Sequence, residues 1–329
     1  MILITGGAGY VGSHFVRMYA KQNEKNRAVV VDNLSRGHRE SLDYGEQIVF
    51  ENASIGDEES IGRVLDKYEV EAAVHFAAKA YVGESQSEPF QYFRNNVTES
   101  LTFFSVLEKH EVRKVVFSSS CATYGDPVYL PLDEEHQQKP TNVYGTTKLM
   151  IEMALRALTD SKGWSSVSLR YFNAAGANPD GSLGESHDPE THLIPNILKV
   201  AAGQSPVMLI HGNDYDTRDG TCVRDYVHVE DLAIAHLKAL DLLRAQKENS
   251  AAFYNLGTST GVTILEMLEL CATVTGCPIS AKIGPRRPGD PASLVANSSK
   301  AEAALGWHPQ YSLSKTIETA WNWERQRRY

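Results

Sequence analysis

Short apolar runs alternate with longer amphipathic stretches through the first half of the chain. The runs are Ile-Leu-Ile-Thr at 2–5, Ala-Val-Val-Val-Asp at 28–32, Ile-Val-Phe at 48–50, Ala-Ala-Val-His-Phe-Ala-Ala at 72–78, Lys-Val-Val-Phe-Ser-Ser-Ser at 114–120 and Val-Ser-Leu-Arg-Tyr-Phe-Asn at 167–173. An unbroken apolar run leaves a strand no wet face, so each reads as a strand covered on both sides. The segments between them, 88–110 and 144–160 among others, carry helical spacing. This alternation predicts βαβ units and an α/β fold, a Rossmann-type doubly wound parallel sheet.

The pattern weakens after residue 174, where a stretch rich in Gly, Pro, Asn and Asp reads as a long crossing loop. The expected division is residues 1–174 as the sheet domain and 175–329 as a smaller C-terminal α/β substrate domain, with some later segments returning to the first. Further helices are expected near 193–203 and 230–245, from Thr263 onward, and over 312–326. In the last of these Leu313, Ile317 and Trp321 recur every four residues, so they are assigned to packing.

The loop after the first strand reads Thr-Gly-Gly-Ala-Gly-Tyr-Val-Gly, with Gly6, Gly9 and Gly12 three apart at the opening of a helix. Glycines so placed allow a tight turn, close approach of backbone to a pyrophosphate and close helix-to-strand contact. Asp32 ends the second strand twenty residues after Gly12, where a carboxylate takes ribose hydroxyls and repels a 2′-phosphate. The expected cofactor is therefore NAD rather than NADP, with Arg36 nearby as the feature that argues the other way.

A second constellation follows the serine-rich strand: Ser120, then Tyr144 and Lys148 on a helix. Four residues return to one helix face, so phenol and ammonium lie side by side. A tyrosine titrates near pH 10, and a unit charge at about 4 Å with an effective dielectric of about 20 contributes roughly 4 kcal/mol, or about three pKa units. An enclosed lysine, helped by a positively charged nicotinamide, makes Tyr144 a base at neutral pH; an exposed one does not. The chemistry expected is proton abstraction from a hydroxyl whose carbon gives up a hydride.

Composition narrows the class. With 42% hydrophobic and 22% charged residues the chain is an ordinary globular protein, and a net charge of −9 leaves no basic stripe for nucleic acid. Cys121, Cys222, Cys271 and Cys277 show no paired spacing and read as free thiols. No secretion signal or apolar run of membrane length is visible, so a cytoplasmic, non-membrane protein is expected. His187 and His192 flank a polar loop without a helical metal motif and read as ordinary loop histidines, so no metal is expected. Cys121 reads as a packed thiol.

Taken in order, TGGAGYVGSH, VVVDN, HFAA, YVGES, NNV, FSSSCATYG, YGTTK, LRYFNAAGA, GNDYDTRDGTCVRDYVHVEDLA, YNLGT and RRPGD span nearly the whole chain. This series resembles the extended short-chain dehydrogenase/reductase superfamily and, within it, the UDP-glucose 4-epimerases. The resemblance implies NAD held by the first domain and a UDP-sugar held by the second, whose C4 is oxidised to a ketone and reduced on its other face. Tyr144 would take the O4 proton and Ser120 would hydrogen-bond O4. Cofactor contacts implied by the matching motifs are Gly6, Gly9, Tyr10, Val11, Gly12, Asp32, Asn33, Ser54, Ile55, Phe76, Ala77, Ala78, Asn96, Ser118, Tyr144, Lys148 and Tyr171. Implied substrate contacts are Ser120, Ala122, Thr123, Asn173, His192, Leu193, His211, Arg224, Arg287, Asp290 and Leu294. Two arginines suit a diphosphate, since guanidinium forks match phosphate oxygens; the competing reading pairs them with nearby acids.

The chain departs from that pattern at three places. Ser54 stands where many members carry an Asp that meets the adenine amine, and a hydroxyl can still accept that bond. Lys79 sits one position ahead of a family lysine, in whose place stands Ala80. Leu294 occupies a position that resembles a gate for N-acetylated sugars. UDP-galactose, its N-acetyl analogue and the UDP-pentoses all remain open, as does an NAD-sensing binding protein without turnover. A 4,6-dehydratase would need acids where Cys121 and Ala122 follow Ser120. The resemblance also implies a homodimer joined through the helices around 92–110 and 144–160, where Leu101, Phe104 and Leu107 suit either an interface or the core.

Overall fold

The computed structural model describes residues 1–42, 45–287 and 289–329, so Pro288 of the RRPGD motif lies outside the described residues. Its central sheet has strands β1 (Ile2–Thr5), β2 (Ala28–Asp32), β3 (Ile48–Asn52), β4 (Ala72–His75), β5 (Lys114–Ser120), β6 (Ser165–Tyr171) and β7 (Ala251–Leu256). They run in the order β7-β6-β5-β4-β1-β2-β3, parallel throughout. The helices that matter below are α1 (Tyr10–Gln22), α2 (Glu58–Lys67), α3 (Glu99–Lys109), α4 (Val143–Lys162), α5 (Leu193–Ala201), α6 (Val229–Ala245), α7 (Ile264–Thr275) and α8 (Leu313–Gln326).

The unbroken apolar runs serve two cores at once. Ile2, Ile4, Val30, Val74 and Val116 face the layer of α1 and α6, packing on Phe15, Val16 and Leu240. Their neighbours Leu3, Val29, Val31, Ala73 and Val115 face the layer of α2, α3 and α4, meeting Ile61, Phe103 and Ile151. Strand alternation thus splits one apolar run between two buried faces. Six strands match the six runs; β7 is an edge strand with part-buried leading residues, and its weaker pattern hid it from the periodicity. It comes 77 residues after the boundary read at 174, and α6 before it also packs on the sheet.

The stretch expected as one helix over 88–110 is helical but not uniform. A single π turn, Phe93–Thr98, precedes α3 and aims Asn96 inward. A third core joins α5, α7 and α8 through Ile194, Ile197, Met267, Leu268 and Ile317, with Leu313 and Trp321 partly buried against it. Helix α7 begins with a reciprocal cap, Thr263 and Glu266 each bonding the other's backbone N–H. Strand order reverses between β1 and β4, and a ligand crevice opens at the carboxyl ends beside such a reversal. No helix among the described residues is long and apolar enough to cross a membrane.

Candidate functional site

A cleft of about 990 Å³ opens along those carboxyl ends, between the sheet half and the later segments. Apart from Ser54, Asn96, Ser118, Thr123 and Lys148, every cofactor and substrate contact expected from the sequence lines it. Those five stand behind its wall; Ser54, Asn96 and Thr123 each bond a residue that lines it, while Lys148 bonds Ser118 and Ser118 bonds His236. Asn96 bridges the Lys79 backbone, accepting at 2.8 Å and donating at 2.9 Å, and donates to Thr147 Oγ1 at 3.0 Å. It therefore fastens the loop after β4 to α4. Thr123 is fully buried and donates to the Ser120 carbonyl at 3.0 Å, so the expectation that it touches substrate is corrected to support of the β5 end.

The glycine loop has the shape a dinucleotide needs. A Cβ on Gly12 would stand 2.2 Å from the Gly6 carbonyl oxygen, and Gly6 itself has φ +68° with the Ala77 nitrogen 2.5 Å from where its Cβ would be. Neither position admits a side chain. Gly9 caps α1 without any side-chain bond, and the first turn holds no acid, so its amides and dipole face the cleft free of a protein anion. Asp32 accepts from Ala8 N at 3.0 Å and Leu34 N at 2.8 Å, which aims its carboxylate across the loop. Burial raises its carboxyl above the usual range, while these two donors favour the charged form. Donor loop and ribose-reading carboxylate together fit NAD.

At the other end lie the β5 terminus and the start of α4. The helix begins with Asn142, whose side chain accepts from Gly145 N at 2.8 Å, and its first turns put Tyr144 and Lys148 on the inward face. Both are buried. Lys148 Nζ donates to the Ser118 carbonyl at 2.7 Å and lies 4.9 Å from the Phe117 ring centre and 5.8 Å from that of Tyr144. The expected shared face is present, but the ammonium's own bond goes to β5 rather than to the phenol. Burial pushes Lys148 down to about 7. Burial also drives the Tyr144 phenol well above its ordinary value, with the Ser120 hydroxyl beside it pulling the other way.

Behind this pair the polar groups are fully engaged. Arg170 of β6 forks onto Glu152 of α4 at 2.9 and 2.7 Å, and Glu152 also accepts from Ser119 Oγ at 2.5 Å and Gln138 Nε2 at 2.8 Å. Such a pair is costly to bury but locks α4 to β5 and β6 in one register. Ser118 Oγ meets His236 Nε2 at 2.8 Å, and burial lowers His236 to about 4, so that ring is neutral.

Across the cleft, Asp290 sits between two arginines: Arg287 Nε donates to it at 2.9 Å and Arg224 lies 3.8 Å away. Arg224 also donates to the carbonyls of Val223 and Pro291 at 2.9 and 2.8 Å. Asp225 next to it accepts from Thr258, Ser259 and Ala296 amides, tying three loops beneath the arginine. Asn173 donates to the Asp225 carbonyl at 2.9 Å. One carboxylate against two guanidiniums leaves a positive patch where a diphosphate can lie. Leu294 is buried beside Cys121, Tyr124 and Phe172 at the inner wall.

The loop histidines are not independent. Glu185, His187, Glu190 and His192 bring one donor atom each within 4.8 Å of one another. His187 Nδ1 lies 3.1 Å from Glu185 and 3.8 Å from Glu190, and His192 Nδ1 contacts Glu185. Burial alone would lower His187, but the two carboxylates raise it to about 9. Burial alone would raise Glu185, but the histidines pull it well below the carboxylate range. The two histidines are thus held toward imidazolium and Glu185 toward carboxylate, each by the other's charge. The cluster fastens the crossing loop to Tyr10 and Tyr81 of the sheet half, whose rings lie 6.3 and 5.5 Å from His187. Sequence reading took His187 and His192 as ordinary loop histidines because nothing in a polar loop foretells its folding back on itself.

The chain from residue 3 to 320 matches the family model described as GDP-mannose 4,6 dehydratase. It is 47% identical over 326 residues to UDP-glucose 4-epimerase of Rhizobium meliloti, covering 99% of this chain and 97% of that one. Among solved structures it resembles UDP-glucose 4-epimerase from Brucella ovis in complex with NAD, with 44% identity, a TM-score of 0.91 and 97% of each chain covered. It also resembles UDP-glucose 4-epimerase from Bifidobacterium longum in complex with NAD+ and UDP, with 36% identity, a TM-score of 0.93 and coverage of 99% and 98%.

Proposed function

The chain belongs to the UDP-glucose 4-epimerase family, and on that premise we propose that it interconverts UDP-galactose and UDP-glucose with NAD as a cofactor that is neither consumed nor released. The observation that carries this reading is the wall beside Tyr144. Ser120 is followed there by Cys121 and Ala122, both lining the cleft, so a hydroxyl and a phenol face the sugar without a carboxylic acid. Elimination of water, the dehydratase reaction, has no carboxylic acid at that wall to protonate the leaving hydroxyl. Cys121 is held inert, its thiol pushed by burial up to about 12.

When bound, NAD supplies a hydride acceptor and donor next to a positively charged ring. The protein's share is to hold sugar and proton. Tyr144 takes the O4 proton and later returns it, and Ser120 orients O4 by hydrogen bond. Lys148, titrating at about 7, is partly charged at neutral pH and lowers the cost of the phenolate. Asp32 and the Gly6–Gly12 turn hold the dinucleotide; Arg224, Arg287 and Asn173 take the UDP phosphates and ribose, with Leu193 and His211 flanking them. In this reading residues 1–174 carry the cofactor and 175–329 the nucleotide-sugar, while β7 and α6 of the latter complete the sheet. Anomeric proton NMR of UDP-galactose, UDP-N-acetylgalactosamine and UDP-arabinose with purified protein and no added NAD tests it. Conversion led by UDP-galactose is expected; no conversion even with NAD supplied overturns it.

A second copy of the chain is the proposed partner. Of the three residues at helical spacing, Phe104 and Leu107 are buried, which leaves Leu101 exposed with Phe90, Met150 and Met153 on the neighbouring helical segments. Four large apolar side chains on one pair of adjacent helices suit a four-helix contact. Sedimentation at micromolar concentration should give a dimer, and a monomer alone would sink the proposal.

A further inference from the structure

The far end of the cleft, beyond Asp32, holds a pair that no motif announced. Ser54 Oγ does not face the cleft; it donates to Glu99 Oε2 at 2.8 Å and accepts from Gly56 N at 3.1 Å. Glu99, from the first turn of α3, lines the cleft with Ala53 and Ile55. Gly56 makes this possible: a Cβ there would stand 2.6 Å from Glu99 Cγ, so only a bare backbone lets the glutamate lie across the loop after β3. The expectation that Ser54 itself meets the cofactor is thereby corrected. Its hydroxyl is spent on placing a carboxylate.

The order of groups along the cleft fixes what this carboxylate meets. A dinucleotide laid with its diphosphate on the glycine loop and its ribose on Asp32 continues past the carboxyl end of β2, so its base comes to rest over the ends of β3 and α3. Adenine there offers one exocyclic donor, its 6-amine. A carboxylate only accepts, and it pairs with an amine but repels the carbonyl oxygen that hypoxanthine or guanine carries at the same position. Of the other carboxylates lining the cleft, Asp32 is engaged by the loop amides, Glu84 by Arg36 and Tyr92, and Asp290, at the opposite end, by Arg287.

We infer that Glu99, held by Ser54, is the residue that selects adenine in the cofactor, by accepting a charge-assisted hydrogen bond from the 6-amine. This rests on the dinucleotide reading above. Because a charged acceptor is involved, discrimination between an amine and a carbonyl is expected to be about tenfold to a hundredfold.

The test is equilibrium binding of NAD and of nicotinamide hypoxanthine dinucleotide to the purified protein after cofactor exchange, followed by quenching of protein fluorescence. The wild type should prefer NAD by that factor. Glu99→Gln, whose amide both accepts and donates, should bring the two dinucleotides close to parity, and Ser54→Ala should narrow the ratio less. Circular dichroism shows that each variant is folded; a partly exposed glutamate can be replaced without loss of core. A wild-type preference that survives unchanged in Glu99→Gln overturns the inference while leaving the cofactor reading intact. Failure of the wild type to bind either dinucleotide overturns both.

Discussion

Two groups of ionisable side chains share this cleft and obey opposite electrostatics. Tyr144 and Lys148 are buried without an opposite charge in contact, so burial drives each toward its neutral form, the phenol up and the ammonium down to about 7. Glu185 is buried and His187, Glu190 and His192 are half-buried, but they face one another, so pairing wins and Glu185, His187 and His192 are held in their charged forms. Burial alone therefore predicts nothing about charge; the partner decides. In the first group only Lys148 is brought near neutral pH, where it can move a proton; burial leaves the Tyr144 phenol protonated, which corrects the expectation that the enclosed lysine makes it a base. The second resists moving one, which a fastening needs.

Breaking the first group costs most. Tyr144→Phe removes the atom that carries the O4 proton, and kcat should fall about a thousandfold. Bound NAD, read from the cofactor released on denaturation, should be unchanged, since the glycine loop and Asp32 are untouched. Loss of cofactor instead would make Tyr144 a binding residue. Lys148→Met should lower kcat about a hundredfold and shift the alkaline limb of the rate profile. It should also raise Tm. The folded value of Lys148 lies below the ordinary lysine value of 10.5, so its burial costs nothing above that pH, costs progressively more down to about 7 and a constant amount below. A gain in Tm at pH 7 that vanishes near pH 10.5 is the signature; a loss at both would show that the bond to the Ser118 carbonyl outweighs desolvation.

Breaking the second group should spare the chemistry and weaken the fold. His187 is raised to about 9, so its contribution is complete below pH 6.5 and fades as pH rises through about 9. Glu185 is depressed, so its contribution is complete above pH 4.5 and fades as acid protonates it. Between pH 7 and 9 this loss runs against the gain from Lys148, so the decline from pH 6.5 to 9 should show in the Lys148→Met background, where the opposing contribution is gone. Glu185→Gln should cost about 2 kcal/mol at pH 6, less than the full price of an orphaned buried charge because the histidines can release their protons. It should also flatten that alkaline decline in urea titrations; an unchanged slope would assign the cluster no role in fastening the loop.

How much of this was legible in the sequence follows the same division. Unbroken apolar runs and glycine spacing come from steric and solvation rules that act within a few residues, so six of seven strands and the glycine loop could be read directly. Tyr144 and Lys148 were legible because four residues on a helix share a face whatever the surroundings. Where Lys148 sends its proton was not, because that depends on the Ser118 carbonyl, 30 residues away. The Arg170–Glu152 lock and the Glu99–Ser54 pair join side chains 18 and 45 residues apart, whereas the histidine cluster lies within one loop that has no periodicity to announce how it folds back. A glutamate in the middle of an amphipathic stretch looks like any solvated helix residue, and only Gly56 passing beside Glu99 sets it apart.

The smallest effect concerns Leu294, which belongs to neither group and reports on shape alone. It is buried on the inner wall, in a two-residue strand whose register places it opposite Arg224. A leucine there leaves the wall apolar and gives an N-acetyl group no donor to meet. Leu294→Ala removes volume without adding charge, so the change in kcat/KM for UDP-N-acetylgalactosamine relative to UDP-galactose should be about tenfold in favour of the acetylated sugar. Neither the pH limbs set by Tyr144 and Lys148 nor the alkaline decline set by His187 should move. If they do move, the wall is electrostatically coupled to one of the two groups, and the contrast between them cannot be read as local pairing against local burial.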